Sequence, residues 1–394
     1  MEDVYEEIKN EAKKIESRLR EWRRDFHRHP ETAFKEERTS RKIHEFLEEL
    51  GLPVKKMART GLRAELEGKP GEKVVALRSD IDALPIQEEG DKEYISKNSG
   101  VAHVCGHDGH MAILMGAASV LAKKRDRFSG KVVFLFQPAE EIPPGGAKKM
   151  VEEGALDGVD AIFGLHLWQP LPTGSVGILK GPMMAQADNF DIKVKGKAGH
   201  GSTPHITVDP IFVASQMVVN LQSVVSRNTD PLKPLVVSFG TIKGGTVYNI
   251  IPQEVELTGT VRTFEPEVQQ NAQKRIYEIA KGTSRAFGAF ADFRYKKGYP
   301  PLVNHDEMVD LVLETVGKIL GKDNIKDISP VMGGEDFTYY LQKIPGAFLF
   351  LGAGDGQEYS HHHPKFDIDE RALCHGTALM TGLAYDFLKR PDRS

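Results

Sequence analysis

The chain has 394 residues and a formal net charge of −4, with 40% hydrophobic and 27% charged residues, a length too great for one compact core and suited to two domains. With no basic excess, nucleic acid and anionic membranes are excluded as principal partners, and a small-molecule substrate fits better. Two cysteines argue against a disulfide framework; with no apolar run of transmembrane length and a charged amphipathic N-terminus unlike a signal peptide, they point to a reducing, cytoplasmic setting.

Val4, Ile8, Ala12, Ile15, Leu19, Trp22 and Phe26 recur at three- or four-residue steps, which predicts one long helix ending before His29-Pro30. His27 and His29, at its end, read as capping or surface groups without a role. A second helix runs to about Leu50 and stops at Gly51. Leu62 to Leu66 and Lys73 to Leu77 read as strands, the latter delivering Arg78-Ser79-Asp80-Ile81-Asp82-Ala83-Leu84-Pro85 at its end. Carboxylates at the C-terminal end of a strand lie where α/β sheets place their sites.

Cys105-Gly106-His107-Asp108-Gly109-His110 then crowds metal-capable side chains and two glycines into six positions. Cys105 and His107 are one residue apart, so a turning backbone can aim both at one ion, and the glycines permit backbone angles that larger residues resist. Met111 to Ala122 reads as a buried helix and Lys131 to Phe136 as a strand ending in Gln137-Pro138-Ala139-Glu140-Glu141. Adjacent glutamates in a dry pocket need a counter-charge or a metal. Either the pair divides into a cation ligand and a general base, or it is a solvated pair opening a loop. Ala161 to Leu167 is another apolar strand and contains His166, read as a ligand because other strand ends also present ligand types.

From about Ala187 the order becomes β-α-β-β-α-β, with strands near Asn189 to Lys195, Leu235 to Ile242, Glu254 to Phe264 and Ala291 to Lys296, and helices near Val208 to Val225 and Gln269 to Phe287. That is the ferredoxin-like split unit. Its glycine-rich loop Gly196 to His205 carries His200, which can reach a site from outside as a hydrogen-bond donor. Asn249 and Arg262 add an amide and a guanidinium suited to gripping a carboxylate, the plain alternative for Arg262 being a surface ion pair. After about Pro300 a helix near Glu307 to Leu320 follows. Gly333-Gly334-Glu335-Asp336-Phe337 reads as opening a further helix whose first-turn amides can receive an anion. The strand Ala347 to Leu351 leads into Ser360-His361-His362-His363-Pro364, with at least one histidine a ligand, and then into a helix from Asp369 to Leu388. The expected fold is α/β: a mixed-sheet dinuclear metallohydrolase domain flanked by helices, residues 1–186 and 299–394, with an inserted ferredoxin-like α+β domain at 187–298.

Cys105, His107, Glu141, His166 and one of the terminal histidines make five ligand-type groups, more than one closed tetrahedral zinc site needs. Two ions sharing a bridging thiolate would use them, and two such cations polarise a carbonyl and lower the pKa of a water between them. This is the chemistry of amide hydrolysis.

On these motifs, together with Gly164-Leu165-His166, Gly199-His200 and the run from His362-His363-Pro364 to Asp369-Glu370, the chain over nearly its whole length resembles the M20 metallopeptidases. The branch it is similar to is that of the N-acyl-amino-acid amidohydrolases, which includes aminoacylases, hippurate hydrolases and plant auxin-conjugate hydrolases. The resemblance implies that Cys105 bridges two divalent ions, His107 and His166 complete one, and Glu141 and His362 the other. His362 is the histidine selected by the family pattern His-x-Pro. It also implies Glu140 as the base, Asp82 as an orienting group behind the metals, and His200 as an oxyanion donor from a partner subunit's lid. Asn249 and Arg262 would hold the substrate or the insert's own geometry, and the insert would be a lid and dimerisation domain in a homodimer or higher homo-oligomer. Cys and His ligands favour Zn²⁺, while Co²⁺, Mn²⁺ or Ni²⁺ can support the same chemistry.

The expected activity is metal-dependent hydrolysis of N-acyl-L-amino acids. The alternatives are a carboxypeptidase or dipeptidase of the same family acting on short peptides, a deacetylase of cell-wall or diaminopimelate precursors, and a non-catalytic metal-stabilised binding protein.

Overall fold

Val132, Val133, Phe134, Leu135 and Phe136 form an unbroken apolar run with no exposed surface, the pattern of a strand covered on both faces. In the computed structural model, which describes residues 3–354, 356 and 359–390, that run lies within an eight-stranded mixed sheet. The strand order is Val54–Met57, Gly61–Glu67, Ser129–Gln137, Lys69–Asp80, Ala161–Pro172, Gly346–Gly354, Val176–Gly177 and Ile325–Lys326. The four strands from Ser129–Gln137 to Gly346–Gly354 are mutually parallel, with Asp80 opposite Gln137 and His166 opposite Phe350. Their C-terminal ends therefore deliver Asp80, Glu140 and the 361–363 histidines at one edge.

The sheet belongs to a unit formed by Met1–Met183, Val303–Ser329 and Asp336–Ser394. Its core joins Phe134, Phe163 and Leu349 of the strands to Met111 and Leu114 of the helix His107–Lys123, Val312 of Asp306–Ile319 and Leu379 of Arg371–Lys389. The helix His107–Lys123 is buried on every side from His107 to Leu121, as expected of a helix that is apolar and small all round.

The expected single N-terminal helix is two, Val4–Lys14 and Glu16–Arg28, which meet at Ile15 with φ −104° and ψ 12°. The apolar stripe runs through both, but Ile8 and Ala12 pack on Ile319 and Ala378 while Leu19 and Phe26 enter the main core, so each half follows its own neighbours. The stretch after Gly333 also differs from expectation. Only Thr338–Leu341 is helical, too short to offer an anion site, because Asp336 does not cap it. Its buried carboxylate instead accepts from Arg78 Nη2 at 3.0 Å, Gln137 Nε2 at 2.8 Å and the Ala147 N–H at 3.0 Å.

The second unit, Met184–Leu302 with Pro330–Glu335, is an antiparallel sheet in the order Leu235–Gly244, Glu254–Thr263, Gln186–Lys195, Phe290–Tyr299. The helices Pro210–Leu221 and Pro266–Ala286 complete the β-α-β-β-α-β order, and Met217 and Ile276 pack on Phe190, Ile192 and Leu257. This strand order is that of the ferredoxin-like fold. Among the described residues no helix is long and apolar enough to cross a membrane.

Gly146 illustrates how tightly the first unit is closed behind the loop at 138–141. A Cβ there would lie 1.9 Å from the Pro138 carbonyl oxygen, and the Gly146 N–H donates to the Ala139 carbonyl at 3.1 Å. Gly146→Ala is expected to cost about 1–3 kcal/mol of stability, read as a lower urea midpoint at unchanged m-value. An unmoved midpoint would show that this turn shifts without penalty.

Candidate metal centre

The centre is assembled from the ends of the parallel strands. Gly106, with φ +90°, turns the chain so that Cys105 precedes the helix His107–Lys123 and His107 opens it. His107 Nδ1 is 2.9 Å from the backbone carbonyl of Asp82, which can only accept, so Nδ1 carries the proton and Nε2 faces the centre. His166 is arranged in the same way: Nδ1 donates to the Leu167 carbonyl at 2.8 Å and Nε2 lies 3.5 Å from Cys105 Sγ. His110 differs. Its Nδ1 donates to Asp80 at 2.7 Å and its Nε2 accepts the Leu167 N–H at 2.8 Å, so both nitrogens are committed and it supports its neighbours.

Two ligand sets result. Donor atoms of Cys105, His107 and His166 lie within 4.8 Å of one another, as do those of Cys105, Glu141 and His362, with Cys105 in both. A third grouping places Glu140 within the same distance of His107 and Glu141. Among the three consecutive histidines the structure singles out His362. His361 donates to the Leu167 carbonyl at 3.0 Å and stacks on Trp168, and His363 Nδ1 accepts the Lys365 N–H at 3.1 Å. His362, in left-handed backbone at φ +67°, is anchored by its N–H on the Val104 carbonyl and brings Nε2 to 3.4 Å from Glu141 Oε1.

The donor set fits a divalent pair. Among the described residues the buried atoms His107 Nε2 and Glu141 Oε1 make no hydrogen bond, His362 Nε2 only approaching the latter at 3.4 Å, an arrangement that is costly unless a cation is there to receive their lone pairs. Burial, then the carboxylates of Glu141, Glu140 and Asp80, pushes the Cys105 thiol well above its ordinary range, so a thiolate there needs added positive charge. For His107, burial opposes protonation, but Asp80, Asp82 and Glu141 outweigh it and hold the imidazole at about 10. That negative field is what a cation would answer. Burial, with His110 and His361 nearby, pushes His166 well below its usual range and leaves it neutral, the form that ligates.

Asp82 does more than face His107. Its two carboxylate oxygens accept the N–H groups of Glu140 at 3.0 Å and Glu141 at 3.1 Å, which fixes both glutamates from the backbone. Glu140 itself is buried, 7% exposed.

Several buried groups of the centre's surroundings were not legible as such. His27, expected as a cap or surface group, has no exposed surface and lies between Asp108 and Glu88, 2.8 Å from each. Arg23 is equally buried, donates to Asp108 at 2.7 Å and pairs with Asp367 and Glu370, tying the start of the His107 helix to the segment that carries His362. A signal existed, since Arg23 shares the helical face of Leu19 and Phe26. Glu36 is buried too, its carboxyl raised to about 7 by burial, but between Lys35 and Glu37 it reads as surface.

In the second unit His200 pairs with Ile250 and the Gly201 N–H donates to the Asn249 carbonyl at 2.8 Å, so Asn249, in the turn just before the strand Ile250–Ile251, lies beside the end of the strand that carries His200. His200 Nδ1 accepts the Ser202 N–H at 3.1 Å, which leaves Nε2 as an exposed donor. Arg262 is half-buried, and among the described residues its hydrogen bond is from Nε to Thr260 Oγ1 at 3.0 Å.

A model of peptidase family M20/M25/M40 matches residues 76–386. The chain belongs to this family. It is 47% identical to the N-acyl-L-amino acid amidohydrolase of Geobacillus stearothermophilus over 77% of this chain and 82% of that one. It is 40% identical to thermostable carboxypeptidase 2 of Saccharolobus solfataricus over 98% and 99% respectively. Among solved structures, a dinuclear metal-binding M20 peptidase from Bacillus subtilis superposes with a TM-score of 0.81 at 38% identity, covering 96% of this chain and 99% of that one. As an M20 protein the chain is a metal-dependent hydrolase acting on amide bonds, and the groups described above are candidates to hold its metal.

Proposed function

We propose that this M20 hydrolase cleaves the amide bond of N-acyl-L-amino acids, with two divalent ions, Zn²⁺ by preference, held by Cys105, His107, His166, Glu141 and His362. The observation that carries the reading is the pair of ligand sets sharing the Cys105 sulfur, with Glu140 buried beside them. When bound, the ions supply Lewis acidity toward the amide carbonyl and toward water. Everything else is done by the chain. Asp82 holds the backbone N–H groups of Glu140 and Glu141, and its carbonyl fixes the His107 tautomer. Glu140 takes the proton from the attacking water and returns it to the leaving nitrogen.

In this reading residues 187–298 act as a lid and dimerisation domain, and His200 offers its Nε2–H to the developing oxyanion from a second copy. Asn249 and Arg262 grip the substrate carboxylate, a role that suits a half-buried guanidinium that hydrogen-bonds Thr260 and feels Asp188 only through its charge. Support for association comes from the outer strand Leu235–Gly244, which exposes Ile242, and from the helix Pro210–Leu221, which exposes Ile211, Phe212 and Val219.

A second reading, a carboxypeptidase acting on short peptides, is favoured by the likeness to the Saccharolobus enzyme over almost the whole chain. Both are tested by stripping the protein of metal and following amino-acid release with and without Zn²⁺, Mn²⁺ or Co²⁺. The panel sets N-acetyl and N-benzoyl amino acids beside N-blocked and unblocked dipeptides. Cleavage of the blocked amino acids only with metal is the expected result. Cleavage confined to peptides would replace it with the peptidase reading, and activity that survives metal removal would overturn both.

A further inference from the structure

Of the turns of the first unit that hold non-glycine residues in left-handed backbone, two lead to one carboxylate through their own N–H groups. Phe34 has φ +59° and Ala139 φ +54°. The Phe34 N–H donates to Glu36 Oε1 at 2.9 Å, and the Ala139 N–H to the same oxygen at 3.0 Å. Thr60 Oγ1 donates to Oε2 at 2.6 Å. Glu36 has no exposed surface and is in none of the metal-capable groups found among the described residues. A carboxylate buried at such cost must be holding something that relaxes without it.

What it holds is the approach to Glu140. The peptide plane entering Ala139 is pinned through its N–H by Glu36, whereas the next two planes are pinned by Asp82 through the N–H groups of Glu140 and Glu141. The Ala139 carbonyl is taken by the Gly146 N–H at 3.1 Å. A left-handed alanine costs about 1–2 kcal/mol and persists only where its surroundings over-determine it. Without the hydrogen bond to Glu36, φ of Ala139 relaxes toward negative values, and that rotation lies one residue before the Glu140 side chain.

We propose that Glu36 is a positioning residue for the hydrolysis, holding the Glu140 carboxylate in its working place through the N–H of Ala139. The proposal rests on the base role assigned to Glu140 above. Two substitutions separate the reach of this side chain from its charge. Glu36→Gln keeps an oxygen for both N–H groups, whereas Glu36→Asp keeps the carboxylate but draws it back by one methylene.

The test measures kcat, KM and metal per chain of the metal-loaded full chain for both variants, for Glu140→Gln, and for Glu36→Asp combined with Ala139→Gly. Glycine takes a positive φ without penalty, so the turn no longer needs its anchor. Glu36→Asp is expected to lower kcat about 10–100-fold with KM and metal content held, Glu36→Gln to stay within about threefold, and the double variant to recover most of the loss. Wild-type kcat in Glu36→Asp overturns the proposal. So does a decrease that follows depleted metal, raised KM or failure to fold and that Ala139→Gly does not repair. If Glu140→Gln itself turns over normally, the base role falls and this inference with it. If Glu140→Gln is inactive and Glu36→Asp is normal, the inference alone fails.

Discussion

Glu140→Gln is expected to lower kcat by about 10²–10⁴-fold, the range by which a positioned proton-transfer group accelerates a reaction. The substitution is close to isosteric, and the hydrogen bond that places residue 140, from its backbone N–H to Asp82, does not involve the side chain. Glutamine cannot take a proton from water, so the defect should lie in turnover, with KM and bound metal little changed. Steady-state kinetics beside metal analysis of the same samples checks this. Near-normal turnover with both ions present would remove Glu140 from the base role, whereas a parallel loss of metal would show it to be a ligand.

Cys105→Ala is the second large effect. Because Cys105 belongs to both ligand sets, its removal should bring the bound divalent ions below two per chain and cut activity by more than the ~10–100-fold typical of deleting an outer partner of a metal ligand. Cys105→Asp, which restores an anionic donor able to bridge, should regain metal more fully than the alanine variant. The other cysteine is the control. Cys374 lies on the helix Arg371–Lys389 with Sγ 3.7 Å from the Ala12 carbonyl, and burial pushes its thiol to about 11, so Cys374→Ser should leave metal content and turnover unchanged. Full metal occupancy in Cys105→Ala would refute the bridging assignment.

Much of the centre could be read from the chain because its donors come in short-range pairs at strand ends. Cys105 and His107 are one residue apart, Glu140 and Glu141 adjacent, and each pair adjoins an apolar run that can only be a buried strand or helix. The ferredoxin-like order of the second unit was legible for the same reason, since period-two and period-3.6 patterns alternate there without interruption. Periodicity was less informative about continuity. The stripe from Val4 to Phe26 keeps its step across Ile15 although the helix breaks there, because each half answers to a different set of neighbours.

Which of three consecutive histidines turns toward Glu141 depends on the Leu167 carbonyl and the Trp168 ring, partners some 200 residues distant in the chain, and on the left-handed angle at His362. The burial of Glu36 and His27 likewise depends on Ala139, Thr60, Asp108 and Glu88, none of them a helical or strand neighbour. The sequence by itself determined the donor chemistry of the candidate centre, a thiol, imidazoles and paired carboxylates at the ends of buried strands, because those choices are local. Only the tertiary structure decided which copies of those groups face one another and which serve as struts, because burial and tautomer are set by atoms that meet when the sheet is assembled.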